Sequence, residues 1–388
     1  MKKIEKINKN KRITVKQTTK IVYVCNSDFG RHGNIGFRTY HVAKETYKQK
    51  KLGRIICRGN AQKDVPKKFI KYVFPGYRIF NLGLSFITQF IWKKFPARPI
   101  QLHLFDWVVS KKIKKIDADV LHIYEYAPRT IKQAKRQGMK VILDTQMAHG
   151  KTADKIFNKN RKHVEENVSA KYANKIIASS QFVVDSYIDS GIDVNKIELI
   201  PHGVDLNKFK FSNKKITKKF TCLYVGLVET RKGIEYLIKA WTELNLKNSE
   251  LVLCGRLNLS LRKQIKKWKK IRNIKFLGFT DPKKYYKNAD AFIFPSMLES
   301  SAKVLYEAMA AELPIITTFN SGPIFKDGTA GFIIPIRDYK IMKEKLKYLY
   351  DNPKQRVKMG KLSRKLVLKH SWKNYGKKLN KLYAKLFS

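Results

Sequence analysis

From residue 20 onward the chain alternates short runs of aliphatic and β-branched residues with longer stretches of helical periodicity. The runs at 21–25, 54–57, 120–124, 141–143, 176–178 and 197–200 are largely apolar, without the regular polar alternation of a half-exposed strand. Strands of that kind are buried on both faces and belong to a parallel sheet covered by helices. The stretch 201–219 (PHGVDLNKFKFSNKKITKK) breaks the rhythm; polar, basic and turn-rich, it predicts an interdomain linker. The rhythm resumes at 221–225, 251–254, 274–277, 291–294, 314–317 and 331–334. The pattern predicts two α/β domains, 20–200 and 220–370, with a basic flexible tail at 1–19. A helix capped by Ser371 is predicted over 371–388, with no strand after it to cover. Length agrees, because 388 residues exceed the ~250–300 that one core fills.

One segment fits the scheme less simply. Residues 79–92 (IFNLGLSFITQFIW) put Asn81, Ser85, Thr88 and Gln89 on one side of a helical wheel, and Phe80, Leu82, Leu84, Phe86, Ile87, Phe90 and Ile91 on a broad apolar face. The first domain's own core is one cover for that face; a bilayer interface, with flanking Lys93 and Lys94 on anionic headgroups, is the other. No uncharged apolar run reaches the ~18 residues needed to span a membrane, and the N-terminus lacks a signal peptide's apolar region. The expected location is the cytoplasm, with peripheral attachment to the inner face of the membrane as the extension of that reading. Cys25, Cys57, Cys222 and Cys254 lie in apolar runs without C-x-x-C spacing, so buried free thiols are expected. The 82 Lys and Arg against 30 acidic residues give a formal charge of +52. Being spread along the whole chain, that charge marks out no nucleic-acid module; a solvated surface or an anionic membrane accommodates it.

Candidate chemistry gathers in the second half. Three successive strands end in glycine, at Gly226, Gly255 and Gly278, where ligands sit in open α/β sheets and where glycine lets backbone approach them. After Gly226, LVETRKG brings Arg231 and Lys232 to the start of a helical pattern. Cations beside a helix N-terminus suit a diphosphate. Between 292 and 318 a strand leads through a small-residue loop into a helix and out to another strand, with Glu299 in the loop and Glu307 on the helix. Val304, Leu305, Ala308 and Met309 form the apolar stripe, so Glu307 stands at its edge, half inward, as a carboxylate suited to the hydroxyls of a ribose.

The segment ESSAKVLYE resembles the E-x7-E signature of glycosyltransferase family 4, whose members have the GT-B fold of two Rossmann-like domains facing across a cleft and retain anomeric configuration. IELIPHGVDLNKF, VGLVETRKG, KNADAFIFPS and DGTAGFIIP extend the resemblance over 197–335. Before it, NSDFGRHGNIGFRTYHVA and VILDTQMAHG correspond more loosely to the family's glycine-rich loop and acceptor-side histidine. The resemblance implies an acceptor-side first domain and a nucleotide-sugar-binding second one. It implies that Glu299 holds sugar hydroxyls, Glu307 the ribose, and Arg231 with Lys232 the diphosphate of a UDP-, GDP- or ADP-sugar. Gly255 and Gly278 would approach the nucleoside, Gly33 and Gly36 line the floor, and His149 reach the donor sugar. Where the family often has Gly-aromatic-Gly, this chain has Ser300, Ser301 and Ala302; Leu227 stands for a frequent arginine and Glu312 for a usual glycine.

The acceptor implied is a glycan or lipid-linked glycan, in cell-surface polysaccharide synthesis, with no metal and no other cofactor. Asp117-Ala118-Asp119 imitates a metal-binding D-x-D yet reads as a turn before a strand, and Gly30, Gly33 and Gly36 match no dinucleotide fingerprint. Two other readings stay open: a nucleotide-sugar isomerase or hydrolase on the same fold, and a basic non-enzymatic binder of nucleic acid or membrane.

Overall fold

The computed structural model describes residues 19–31, 35–90, 97–209 and 218–387. Each apolar run becomes a strand. In the first domain these are β1 (Ile21–Phe29), β2 (Leu52–Asn60), β4 (Val120–Ile123), β5 (Lys140–Asp144), β6 (Lys175–Ala178) and β7 (Ile197–Leu199), joined by an unpredicted edge strand β3 (Ile70–Tyr72). They form one sheet, β3-β2-β1-β4-β5-β6-β7, in which every pairing is parallel. In the second domain β8 (Phe220–Val225), β9 (Ser249–Cys254), β10 (Ile274–Gly278), β11 (Ala291–Phe294), β12 (Ile315–Thr318) and β13 (Gly331–Ile334) form the parallel order β10-β9-β8-β11-β12-β13. Strand order reverses beside β1 and beside β8. Crevices at such switch points, beyond the carboxyl ends of the strands, are where this architecture takes ligands.

All four cysteines are buried and free, as their apolar runs predict. The terminal helix, Trp372–Lys385, starts on the expected cap: Ser371 Oγ accepts from Asn374 N at 3.1 Å. It does not sit idle beyond the second domain. Tyr375, Leu379, Leu382 and Tyr383 are buried in the first domain's core, against the Ile35–Lys48 helix. The chain therefore crosses between domains twice. The crossings lie side by side, with Val204 N donating to the His370 carbonyl at 2.9 Å and Val204 bridged to Ser371.

The first domain's core, one of the two covers considered for 79–92, leaves much of the helix Tyr77–Phe90 uncovered. Tyr77 and Asn81 are buried, whereas Ile79, Phe80, Leu82, Phe86 and Ile87 are exposed. Asn81 meets the protein while these five apolar side chains turn outward; the side chains of Ser85, Thr88, Gln89 and Phe90 lie outside those described. Residues 91 and 92, the tail 1–18 and linker residues 210–217 lie outside the described residues.

Candidate active site

The second domain's switch point collects the predicted cations and carboxylates. β8 ends at Val225, the chain turns through 226–233, and the helix Ile234–Leu244 begins; from the neighbouring strand, β11 ends at Phe294 and the loop 295–302 leads into the helix Lys303–Ala310. The two turns are laced together. Met297 N donates to the Arg231 carbonyl at 2.9 Å, and a Cβ on Gly233 would meet the Pro295 carbonyl oxygen at 2.1 Å, so only glycine permits this approach. Gly255 has a similar reason: a Cβ there would lie 1.7 Å from the Gly226 carbonyl oxygen. Its smallness serves the packing of one strand-end turn on the next.

Glu299 is the hub. Its Oε1 accepts hydrogen bonds from Arg231 Nη1 at 3.0 Å, from Ser296 Oγ at 2.7 Å and from the Lys232 ammonium. Arg231 is fixed further by Glu229 at 2.8 Å and by the Leu298 carbonyl at 2.7 Å. All three donors converge on one oxygen, and among the described residues no hydrogen bond to Oε2 is made. Burial lowers the Lys232 pKa, Glu299 working against that shift, and the ammonium lies 5.1 Å from the Phe294 ring centre. Sequence reasoning singled out Arg231, Lys232 and Glu299 but missed Ser296 and Glu229, because a serine after a proline and one glutamate in a basic turn carry no signal until the loops are folded together.

The small-residue loop is pinned despite lacking glycines. Ser180 Oγ of the first domain donates to the Ser300 carbonyl, Ser301 Oγ meets Tyr306 OH at 2.8 Å, and Ala302 N donates to the Ser321 carbonyl at 2.9 Å. The helix beyond opens with the free N–H groups of any first turn. On it, Leu305, Ala308 and Met309 are buried and Glu307 is half-buried, as its place in the stripe predicts. Burial raises the Glu307 pKa; Tyr286 OH, donating to Oε2 at 3.0 Å, and Lys303 oppose that shift. Lys303, on the turn before Glu307, lies 5.5 Å from the ring centre of Phe37 in the first domain. The opening turns of the Lys303–Ala310 and Ile35–Lys48 helices thus approach each other, which brings two electropositive helix ends together. Lys303 and Tyr286 were not read from the sequence.

The first domain's predicted residues are placed differently. Gly36 is buried in the Ile35–Lys48 helix, its carbonyl accepting from Gly30 N at 2.9 Å; Gly33 lies outside the described residues. His149 is fully buried as the cap of the helix Gly150–Phe157. Its Nδ1 accepts from Lys151 N at 3.2 Å, so the proton is on Nε2, which donates to Asn167 Oδ1 at 3.0 Å. Burial lowers its pKa. Among the described residues no hydrogen bond or ion pair joins His149 to the Glu299 cluster. Beside it a cavity of about 420 Å³ opens between the domains, lined by Leu102, Glu125, Met147, Glu166 and, from the second domain, Leu298. Gly226, just after β8, and Gly278, the last residue of β10, both have positive φ at the carboxyl ends of their strands, the edge from which the cluster's loops spring.

Comparison with known proteins follows the same division. The family described as "Glycosyltransferase Family 4" matches residues 70–208, and "Glycosyl transferases group 1" matches residues 205–366. Among curated relatives, the capsular polysaccharide biosynthesis glycosyltransferase CapM of Staphylococcus aureus is 28% identical over 53% of this chain and 60% of its own length. The putative glycosyltransferase EpsD of Bacillus subtilis is 25% identical over 70% and 80%. The chain spans between about half and three fifths of the length of the first three curated relatives it matches. Among solved structures, Anabaena HepE in complex with UDP and glucose superposes with a TM-score of 0.71 at 15% identity, over 95% of this chain and 100% of that one. A sucrose-phosphate synthase from Thermosynechococcus elongatus reaches 0.74 at 17%, over 95% and 99%. With two family profiles meeting at the linker and the fold shared end to end, the chain is built of a glycosyltransferase family 4 domain followed by a glycosyl transferases group 1 domain, in the GT-B architecture.

Proposed function

We propose that the protein transfers a hexose from a nucleotide sugar to a hydroxyl of a glycan or lipid-linked glycan, with retention of configuration, at the inner face of the membrane in cell-surface polysaccharide synthesis. The observation that carries the reading is the Glu299 hub. One carboxylate oxygen is held by two cations and a hydroxyl, which fixes the side chain, while the other is left to accept from sugar hydroxyls. Arg231, Lys232 and the opening of the Lys303–Ala310 helix then surround the diphosphate, and Glu307 accepts from the ribose. UDP is the favoured carrier, supported by the UDP and UDP-glucose complexes of Anabaena HepE.

In the reaction the bond between the anomeric carbon and the phosphate oxygen breaks, and its electron pair leaves with the nucleoside diphosphate. The acceptor hydroxyl attacks from the same face, and its proton passes to the departing phosphate. Cations and helix N–H groups already aimed at that phosphate meet the charge as it develops, which is electrostatic stabilisation without reorganisation. No metal has a part in this scheme, so turnover should persist in EDTA. His149, with both ring nitrogens engaged, shapes the acceptor-side loop through its cap; reaching the donor sugar would require it to exchange the Asn167 bond.

The test is a thermal-shift screen against UDP-, GDP- and ADP-glucose, since a ligand of the folded state raises stability with the logarithm of its concentration. A product assay with an added glycan acceptor follows. A shift with one nucleotide sugar and label in the acceptor is expected. Free sugar or an epimer as product would assign the site to hydrolysis or isomerisation instead.

A further inference from the structure

The outward apolar face of the helix Tyr77–Phe90 is a feature of the surface that sugar transfer leaves unexplained. Ile79 is 75% exposed, Leu82 64% and Phe86 61%, with Phe80 and Ile87 beside them. At 3.6 residues per turn these five and Gly83 make one continuous face, opposite Tyr77 and Asn81, which anchor the helix. The orientation is fixed: Tyr77 OH donates to the Gln101 carbonyl at 3.2 Å, and Gln101 Nε2 donates to the Asn81 carbonyl at 3.0 Å. Gln101 belongs to the helix Ala97–Ile113, which adds exposed Ile100 and Trp107, the latter carrying the Lys111 ammonium 3.7 Å above its ring. The same helix, through Pro99, Leu102, His103 and Asp106, walls the 420 Å³ cavity of the cleft.

A contiguous exposed face of this kind marks an interaction site. Charge selects the occupant. With 82 basic against 30 acidic residues, two copies of the chain repel each other, whereas an anionic surface attracts it. No described helix is long and apolar enough to cross a membrane, which leaves a helix lying in the interface plane. We propose that Ile79, Phe80, Leu82, Phe86 and Ile87 dock the protein on an anionic lipid bilayer, with the acceptor-side cavity opening beside the membrane. Docking itself is independent of the transferase reading; its consequence, an acceptor carried on a lipid, rests on that reading.

The experiment compares co-sedimentation of the full chain with phosphatidylglycerol-containing and pure phosphatidylcholine vesicles at low and high salt. Wild type should partition onto the anionic vesicles, and the triple variant Ile79→Ser, Leu82→Ser, Phe86→Ser should do so at least tenfold more weakly, with unchanged melting temperature and unchanged transfer to a water-soluble acceptor. If the triple variant fails to fold, Leu82→Trp takes its place: its fluorescence should be quenched by phosphatidylglycerol with brominated acyl chains. Undiminished binding of a folded triple variant would mean that net charge alone holds the protein, and would overturn the proposal. So would an unquenched Leu82→Trp, or a lipid-free dimer of the wild type that the triple variant abolishes. Loss of vesicle binding in the triple variant alongside absent sugar transfer in wild type would leave the docking surface standing and remove the transferase reading alone.

Discussion

Lys232 and Glu299 each offset the cost of the other's burial. An ammonium drawn into the protein loses hydration, which is why burial lowers the Lys232 pKa, and the Glu299 carboxylate returns part of that loss. A diphosphate entering the turn gives Lys232 a second anion, and the benefit grows as the leaving group gains charge. Lys232→Ala should therefore lower kcat by about two orders of magnitude, the scale of removing one preorganised donor, while the melting temperature changes little. A rise in KM at constant kcat would show instead that Lys232 only holds substrate. Glu307 makes a different contrast. Its carboxylate is raised in pKa by burial and, among the described residues, accepts a hydrogen bond from Tyr286 alone, so a ribose diol would complete its shell. Glu307→Ala should weaken UDP-sugar binding by about 1.5–3 kcal/mol, the worth of hydrogen bonds to a charged group, and leave pyrophosphate binding nearly unchanged. Calorimetric titration with both ligands checks it, and equal losses would remove the ribose role.

The helix carrying Glu307 ends in a conformation its sequence does not favour. Glu312 sits at φ 59°, where the family usually keeps glycine, because the chain must turn sharply from the helix Lys303–Ala310 into β12. A side chain in the left-handed region costs about 1–2 kcal/mol, so Glu312→Gly should raise urea-denaturation stability by about 1 kcal/mol, part of the gain being lost to the greater freedom of unfolded glycine. A fall in stability would show that the Glu312 side chain contributes more than its backbone costs. The inner strands, such as β4, β11 and β12, were legible because each is an apolar run buried on both faces. β3 was not, since of its three residues only Ile70 is buried and an exposed edge imprints no pattern. The helix Tyr77–Phe90 was legible as an amphipathic helix but not in its orientation, because periodicity names an apolar face without saying what covers it. At the site, Arg231, Lys232 and Glu299 stood out by charge and position, whereas the contacts of Ser296 with Glu299 and of Ser180 with Ser300 depend on loops that meet only after folding.

Across the whole molecule, the linker and the terminal helix are tied to the first domain by a buried polar network that also sets the response to acid. Arg38 Nη1 meets His202 Nε2 of the linker at 2.7 Å, and its Nη2 pairs with Asp144 at 3.1 Å; Asp144 in turn meets His122 at 3.2 Å and Tyr375 OH of the terminal helix at 3.3 Å. His122 closes the chain of contacts on Tyr383 OH at 2.7 Å. Burial lowers the pKa of His122 and, further, of His202, where Arg38 and Lys303 add to the effect; burial likewise brings His370 down to about 4. The unfolded chain takes up these protons near pH 6.5 and the folded chain refuses them, so the unfolded state binds more protons as pH falls below that value. Stability is full above pH ~7 and declines below ~6.5, by at most about 1.4 kcal/mol per pH unit for each excluded proton. Glu307, raised in the folded state, works in the opposite direction, but it is one group against several histidines. Urea-denaturation midpoints should accordingly be flat from pH 7.5 to 8.5 and fall steeply between pH ~6.5 and ~5. His370→Phe, which keeps an aromatic ring facing Tyr306, should shallow that fall by removing one of the excluded protons. A midpoint unchanged down to pH ~5.5 would mean that the buried histidines accept protons in place.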